Sequence, residues 1–175
     1  MEMKKTAVVN TALTALFAAI ITVCAQITLP VPNTGVSLTL QTFAVALCGF
    51  CLGLKYGTAS VAVYLLLGAC GAPVFSRFLG GFWMFLGRSG GFLIGFIPFV
   101  ILTGIAKKQK KYIYKILVSF AGLAVCHIIG VVQFAAVAGV NLKLAFLSVS
   151  LPFILKDIIS VILAELVSKR IKIIK

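Results

Sequence analysis

Acidic residues are nearly absent from this chain. Three of them, Glu2, Asp157 and Glu165, stand against sixteen Lys and Arg in 175 residues. No paired-carboxylate motif for general acid–base chemistry can be drawn from so few. Histidine occurs once, at His127, which excludes the two-histidine HExxH metal motif. No GxxxxGK[ST] phosphate loop occurs, so the chain has no ATPase motif of its own. Charged residues make up 11 %, against about a quarter in an ordinary soluble domain. That scarcity excludes a water-facing globule, and no long polar stretch exists to build an aqueous domain. The odd cysteine count of five argues against a disulfide framework. Cys48 and Cys51 form a CxxC inside an apolar run, with no second pair and no histidine nearby, so packing is their expected role. No catalytic set, metal site or cofactor is expected, and an enzyme is disfavoured.

What the chain has in abundance is hydrocarbon. Hydrophobic residues reach 62 % and the mean hydropathy is +1.19, so lipid is the expected solvent. The expected fold is an all-α integral membrane protein forming a single domain over residues 1–175. Six transmembrane segments can be drawn, at 8–29, 38–54, 58–71, 91–106, 115–138 and 144–168. The first is read as a retained helix rather than a cleaved signal. Placing the N- and C-termini in the cytoplasm puts twelve basic residues inside: Lys4, Lys5, Lys55, Lys107, Lys108, Lys110, Lys111, Lys115, Lys169, Arg170, Lys172 and Lys175. Four remain outside: Arg77, Arg88, Lys143 and Lys156. The positive-inside rule and anionic lipid headgroups account for the net +13, and nucleic acid is not an expected partner.

On that topology the unusual residues gather at the outer end. The stretch 72–91, APVFSRFLGGFWMFLGRSGG, is aromatic yet broken by Gly80–Gly81 and Gly90–Gly91. It is too irregular to span and too apolar for water. The expectation is a re-entrant or capping loop on the extracellular side between helices 3 and 4. Phe75, Phe78, Phe82, Trp83 and Phe85 either wall a pocket or form an interfacial aromatic belt. Arg77 and Arg88 offer planar forks for a carboxylate. Asp157 lies inside the apolar pattern LPFILKDIISVILAEL. An acid there costs about 2.5–3.5 kcal/mol at a helix centre unless it faces a cavity or a partner. Ligand contact is preferred over a pair with Lys156, since helix neighbours point about 100° apart. Glu165 and Lys169 stand at i,i+4 and are expected to pair. Thr39 and Gln41 open the second helix, and the Gln41 amide both donates and accepts. Thr11, Ala15 and Ala19 form a small-residue stripe for close helix approach, within the chain or with a partner. His127, with no acid beside it in sequence, is expected to serve packing or hydrogen bonding.

Taken in order, 38–42 (LTLQT), 53–57 (GLKYG), 64–68 (YLLLG), 71–75 (GAPVF), Gly80–Gly81 and 87–92 (GRSGGF) resemble the motif series of the BioY biotin transporters. These are the substrate-binding S-components of energy-coupling factor (ECF) transporters. The resemblance covers nearly the whole chain. It implies a multi-pass protein of a prokaryotic cell membrane that captures biotin from outside. It further implies partnership with a transmembrane coupling protein and ABC-type ATPases, reached through an AxxxA-like surface at Thr11, Ala15 and Ala19. The binding residues it points to are Asp157, Gln41 and Thr39 for the ureido ring and Arg77 or Arg88 for the valerate carboxylate. Phe75, Tyr64 and the glycine pair Gly90–Gly91 would line the apolar parts. Where the family shows Gly-Asp and a Lys three residues on, this chain has Lys156–Asp157 and Ser160, so Lys156 joins the candidates for the carboxylate. The alternatives are an S-component for another vitamin and a stand-alone secondary transporter, the latter expected to carry inverted repeats that are not found.

Overall fold

The computed structural model describes residues 2–32 and 34–171, and of residues 2–6 the backbone only. Lys172 and Lys175, counted above among the inner basic residues, lie outside the described residues. So do the side chains of Glu2, Lys4 and Lys5.

Helix dominates. α1 (Glu2–Gln26) leads into a short antiparallel hairpin of β1 (Thr28–Pro30) and β2 (Ser37–Thr39), with Thr28 opposite Thr39. This two-stranded sheet departs from the all-α expectation. Next come α2 (Gln41–Ala69), a 3-10 turn (Ser76–Phe78) and α3 (Trp83–Leu86). α4 (Gly90–Ala106), α5 (Tyr112–Ala138), α6 (Leu142–Val149) and α7 (Leu151–Arg170) complete the chain.

α2 is not one rod. Gly53 sits at φ 75°, ψ −170°, a backbone region essentially reserved for glycine. A straight helix would separate Gln41 and Tyr64 by about 35 Å at 1.5 Å per residue. Instead the Gln41 amide donates to the Tyr64 hydroxyl over 2.5 Å. Cys48 Sγ likewise reaches the Gly57 carbonyl at 3.6 Å. The chain therefore doubles back at Gly53, and the arms 41–52 and 54–69 run antiparallel. They match the second and third segments read from the sequence, joined by a one-residue reversal rather than a loop.

The sixth segment is also broken. α6 and α7 meet at Ser150 with a 50° bend, and Pro152 near the start of α7 lacks the amide that would extend the ladder back into α6. By length and composition three helices can cross a membrane, Ala7–Gln26, Gln41–Ala69 and Tyr112–Ala138, and a fourth if α6 and α7 form one span. The sequence led to six. The difference lies in α2, whose two arms count as one helix, and in α4, whose 17 residues reach about 26 Å.

α4 lies between α2 and α5, while α1 and α7 pack on α2. Close approach rests on small residues. A Cβ at Gly91 would come within 2.5 Å of the Ile129 carbonyl, and one at Gly104 within 2.6 Å of the Leu54 backbone. Phe17, Ala18, Ile21 and Ala25 of α1 are buried, while Thr11, Ala15 and Ala19 are exposed. The small-residue stripe thus faces away from the rest of the chain. Near the far end of α7, the buried Glu165 carboxylate pairs with Lys169 at 3.0 Å, as i,i+4 spacing predicts, and Lys115 stands 3.9 Å away.

Candidate functional site

A cavity opens where the β-hairpin, α2, α4, α5 and α7 converge under the aromatic loop. Its walls are mostly apolar: Val36, Phe75, Met84, Phe92, Leu93, Phe96, Leu123, Cys126 and Phe153. Its polar lining is Ser37, Thr39, Gln41, Thr42, Ser76, Ser89, His127, Lys156 and Asp157. The open space is about 50 Å³, room for a few water molecules.

Asp157 anchors the polar floor. It is 4 % exposed and is contacted from two helices. The Lys156 ammonium pairs with Oδ1, and His127 Nε2 stands 3.2 Å from Oδ2. The lysine also donates to the Thr39 carbonyl at 2.7 Å and to Thr42 Oγ1 at 3.4 Å. On the far side of its ring, His127 Nδ1 is 2.9 Å from Ser150 Oγ. A neutral imidazole with its proton on Nε2 satisfies both contacts, donating to the carboxylate and accepting from the hydroxyl. The sequence argument that Lys156 and Asp157 point apart is corrected here: the four-carbon stem of lysine is long enough to fold back on its neighbour. The pair nonetheless lines the cavity, so the acid is partnered and faces the hollow at once.

A second polar chain joins the floor to the wall. Thr39 Oγ1 donates to Gln41 Oε1 at 2.8 Å, and Gln41 Nε2 donates to the Tyr64 hydroxyl. Tyr64 is fully buried and meets Phe75 edge-on at 5.5 Å. Phe75 occupies the notch left by Gly68, where a Cβ would fall 2.1 Å from its ring. Gly68→Val is therefore expected to push Phe75 into the cavity. A titration of ligand binding should show at least a tenfold loss, about 1.4 kcal/mol.

The other sequence candidates are elsewhere. Gly90 and Gly91 are buried at the contact of α4 with α5, against Gln133 and Gly130, and line no part of the cavity. Their role is helix approach. Arg77 is exposed, at φ 62°. Arg88 donates to the Thr34 carbonyl at 3.3 Å and lines a separate surface hollow with Val31, Phe134 and Val140. The one basic side chain lining the cavity is Lys156. Phe75 walls the cavity, whereas Phe78, Phe82 and Trp83 are 71 %, 63 % and 80 % exposed, as an interfacial aromatic belt would be. Four residues not singled out from the sequence as site candidates also line the cavity, His127, Thr42, Ser76 and Ser89, and His127 makes the hydrogen bonds expected of it. His127 left no local signal, because its acid lies 30 positions away on another helix. Among the described residues no cluster of His, Cys, Asp and Glu could hold a metal ion.

Val31, Pro32, Thr34, Arg88, Ala138, Val140 and Leu144 share that surface hollow at one end of the bundle. Lys55, Lys107 and Lys108 surround another hollow beside the Gly53 reversal.

Comparison with known proteins agrees in breadth. The BioY family matches residues 1–174. A probable biotin transporter BioY of Pyrococcus horikoshii is 39 % identical, over 91 % of this chain and 94 % of its own. A biotin transporter BioY of Thermotoga maritima is 37 % identical, over 90 % and 92 %. The crystal structure of the S-component for biotin from an ECF-type ABC transporter superposes with a TM-score of 0.88 at 26 % identity, covering 95 % of this chain and 92 % of that one.

Proposed function

The chain belongs to the BioY family, and from that premise we propose that it is the biotin-binding S-component of an ECF-type uptake system. The observation that carries the reading is the partnered acid Asp157 at the floor of an apolar-walled hollow beneath an aromatic loop. Biotin needs such a combination: a ureido ring with two N–H donors and a carbonyl, a thioether bicycle, and a flexible chain ending in a carboxylate.

The ureido ring belongs at the floor. Asp157 accepts from one of its N–H groups, and Lys156 and the Gln41 amide donate to its carbonyl. In the empty site these groups satisfy one another, so the ligand replaces internal hydrogen bonds rather than meeting bare charges. The valerate carboxylate belongs at the loop end, because like charges repel and Asp157 holds the floor. Ser76 and Ser89 offer hydroxyls there, with Arg77 just after the first and Arg88 just before the second. Phe75 and Phe92 cover the bicycle.

The single domain sits in a prokaryotic plasma membrane with six spans, the loop 72–89 capping the outer end and both termini inside. With no ATPase motif, it relies on a coupling protein and ABC-type ATPases. The outward stripe Thr11, Ala15 and Ala19 is the surface for that partner. Ala15→Trp with Ala19→Trp should leave biotin affinity within about twofold, yet abolish co-purification with the coupling protein and uptake into cells. Retained co-purification would move the docking surface elsewhere.

Isothermal titration of the purified protein with biotin, the carboxylate-blocked amide biocytin, riboflavin and thiamine tests the reading. Biotin should bind tightest and biocytin more weakly. Preference for another vitamin would replace biotin as the ligand.

A further inference from the structure

The loop above the cavity makes an unusual backbone turn. Arg77 and Phe78 both adopt left-handed conformations, at φ 62° and 58°, which non-glycine residues rarely occupy. Side-chain burial does little to hold this turn, for Phe78 and Leu79 are 71 % and 45 % exposed. Among the described residues, the side chain from another element that hydrogen-bonds its backbone is Gln26. Gln26, the last residue of α1, donates from Nε2 to the Phe75 carbonyl at 3.0 Å and the Val74 carbonyl at 3.3 Å. Its Oε1 accepts the Phe78 amide at 2.9 Å. The amide thus clamps the turn from both sides, using donor and acceptor together.

The turn in turn sets Phe75. The Phe75 amide donates to the Leu79 carbonyl at 2.9 Å. Its ring, 1 % exposed, is wedged between Tyr64 and Phe85 and walls the cavity. Loss of the clamp removes the side chain that ties the two left-handed residues to α1, leaving the packing of Phe75 between Tyr64 and Phe85 to hold the ring above the ligand less firmly.

We propose that Gln26 is a positioning residue of the biotin site: it pins the turn 75–79, holds Phe75 over the bound ligand, and so sets how slowly the ligand leaves. This rests on the biotin-binding reading above. Gln26 lines no part of the cavity and touches no ligand directly. It acts from the helix that also carries the outward stripe, so a partner that shifts α1 would pull on the same clamp.

Dissociation kinetics in lipid nanodiscs test the proposal. In Gln26→Met, which keeps the side-chain volume and loses the three hydrogen bonds to the turn along with one to the Thr22 carbonyl within α1, biotin dissociation should accelerate about tenfold or more, from the loss of several hydrogen bonds. Association should change about threefold or less, and the melting temperature of the empty protein should stay near wild type. Gln26→Glu keeps the acceptor for the Phe78 amide but sets a carboxylate oxygen against the Val74 and Phe75 carbonyls. It should release biotin at least as fast as Gln26→Met, and it carries the test if Gln26→Met does not fold. Hydrogen exchange in the empty protein should quicken at 75–79 and not elsewhere. Dissociation within twofold of wild type would overturn the proposal, as would faster dissociation accompanied by faster exchange throughout the chain. A wild-type protein that ignores biotin would defeat the functional reading instead, and exchange at 75–79 would still decide whether Gln26 holds the turn.

Discussion

Asp157→Ala should lower biotin affinity at least a hundredfold, with Asp157→Asn falling between it and wild type. Two effects add. Hydrogen bonds to a charged acceptor contribute about 1.5–3 kcal/mol each, and in the proposed pose the carboxylate takes one ureido N–H group. Removing it also strips Lys156 and His127 of their shared partner. A buried charge left without its counter-charge costs about 3–5 kcal/mol. The lysine would then turn to the Thr39 carbonyl and Thr42 hydroxyl it already touches, closing the floor against the ring. The Ala variant therefore loses stability as well as affinity. The Asn variant separates the two, since it keeps the shape and one acceptor while removing the charge. Titration of both variants, with melting curves of the empty proteins, reads the difference. A folded Asp157→Asn variant with wild-type affinity would remove this residue from recognition.

The second large effect concerns the reversal in α2. Gly53→Val should destabilise the protein by about 1–3 kcal/mol, from backbone strain in a region that side chains avoid. For a chain of this size that is about 2–12 °C in melting temperature. Space is not the obstacle, because a Cβ there would meet only Lys107 Cδ at 3.4 Å. The cost is torsional. A control follows from the same physics. Gly139 ends α5 in an ordinary left-handed cap at φ 67°, which asparagine tolerates, so Gly139→Asn should be nearly silent. Gly53→Val should also weaken ligand binding, because the Gln41–Tyr64 contact exists only while the two arms stay antiparallel. Equal melting temperatures for the two variants would show that the reversal does not depend on glycine.

The apolar segments were legible because lipid demands long uninterrupted hydrocarbon, and that demand is written locally. The Glu165–Lys169 pair was legible for the same kind of reason: four residues on a helix always meet. The motif series carried the family, and with it Asp157, Gln41, Thr39, Phe75 and Lys156, which the structure gathers around one hollow. Tyr64 stands behind Gln41 and Phe75 rather than in the lining. What sequence did not yield was every relation that crosses between helices. His127 meets Asp157 only because α5 lies against α7. Gly90 and Gly91 read as ligand-facing, yet their missing side chains admit α5. Arg77 and Arg88 carried the right chemistry for a carboxylate but are turned out of the cavity. Composition and periodicity thus determined the solvent and the helical segments, and the resemblance of the motif series gave the family, since each depends on residues near in sequence. Only the tertiary structure decided which polar groups share a space. That is a matter of distance between helices and of side-chain reach, and neither is recorded in the order of the residues.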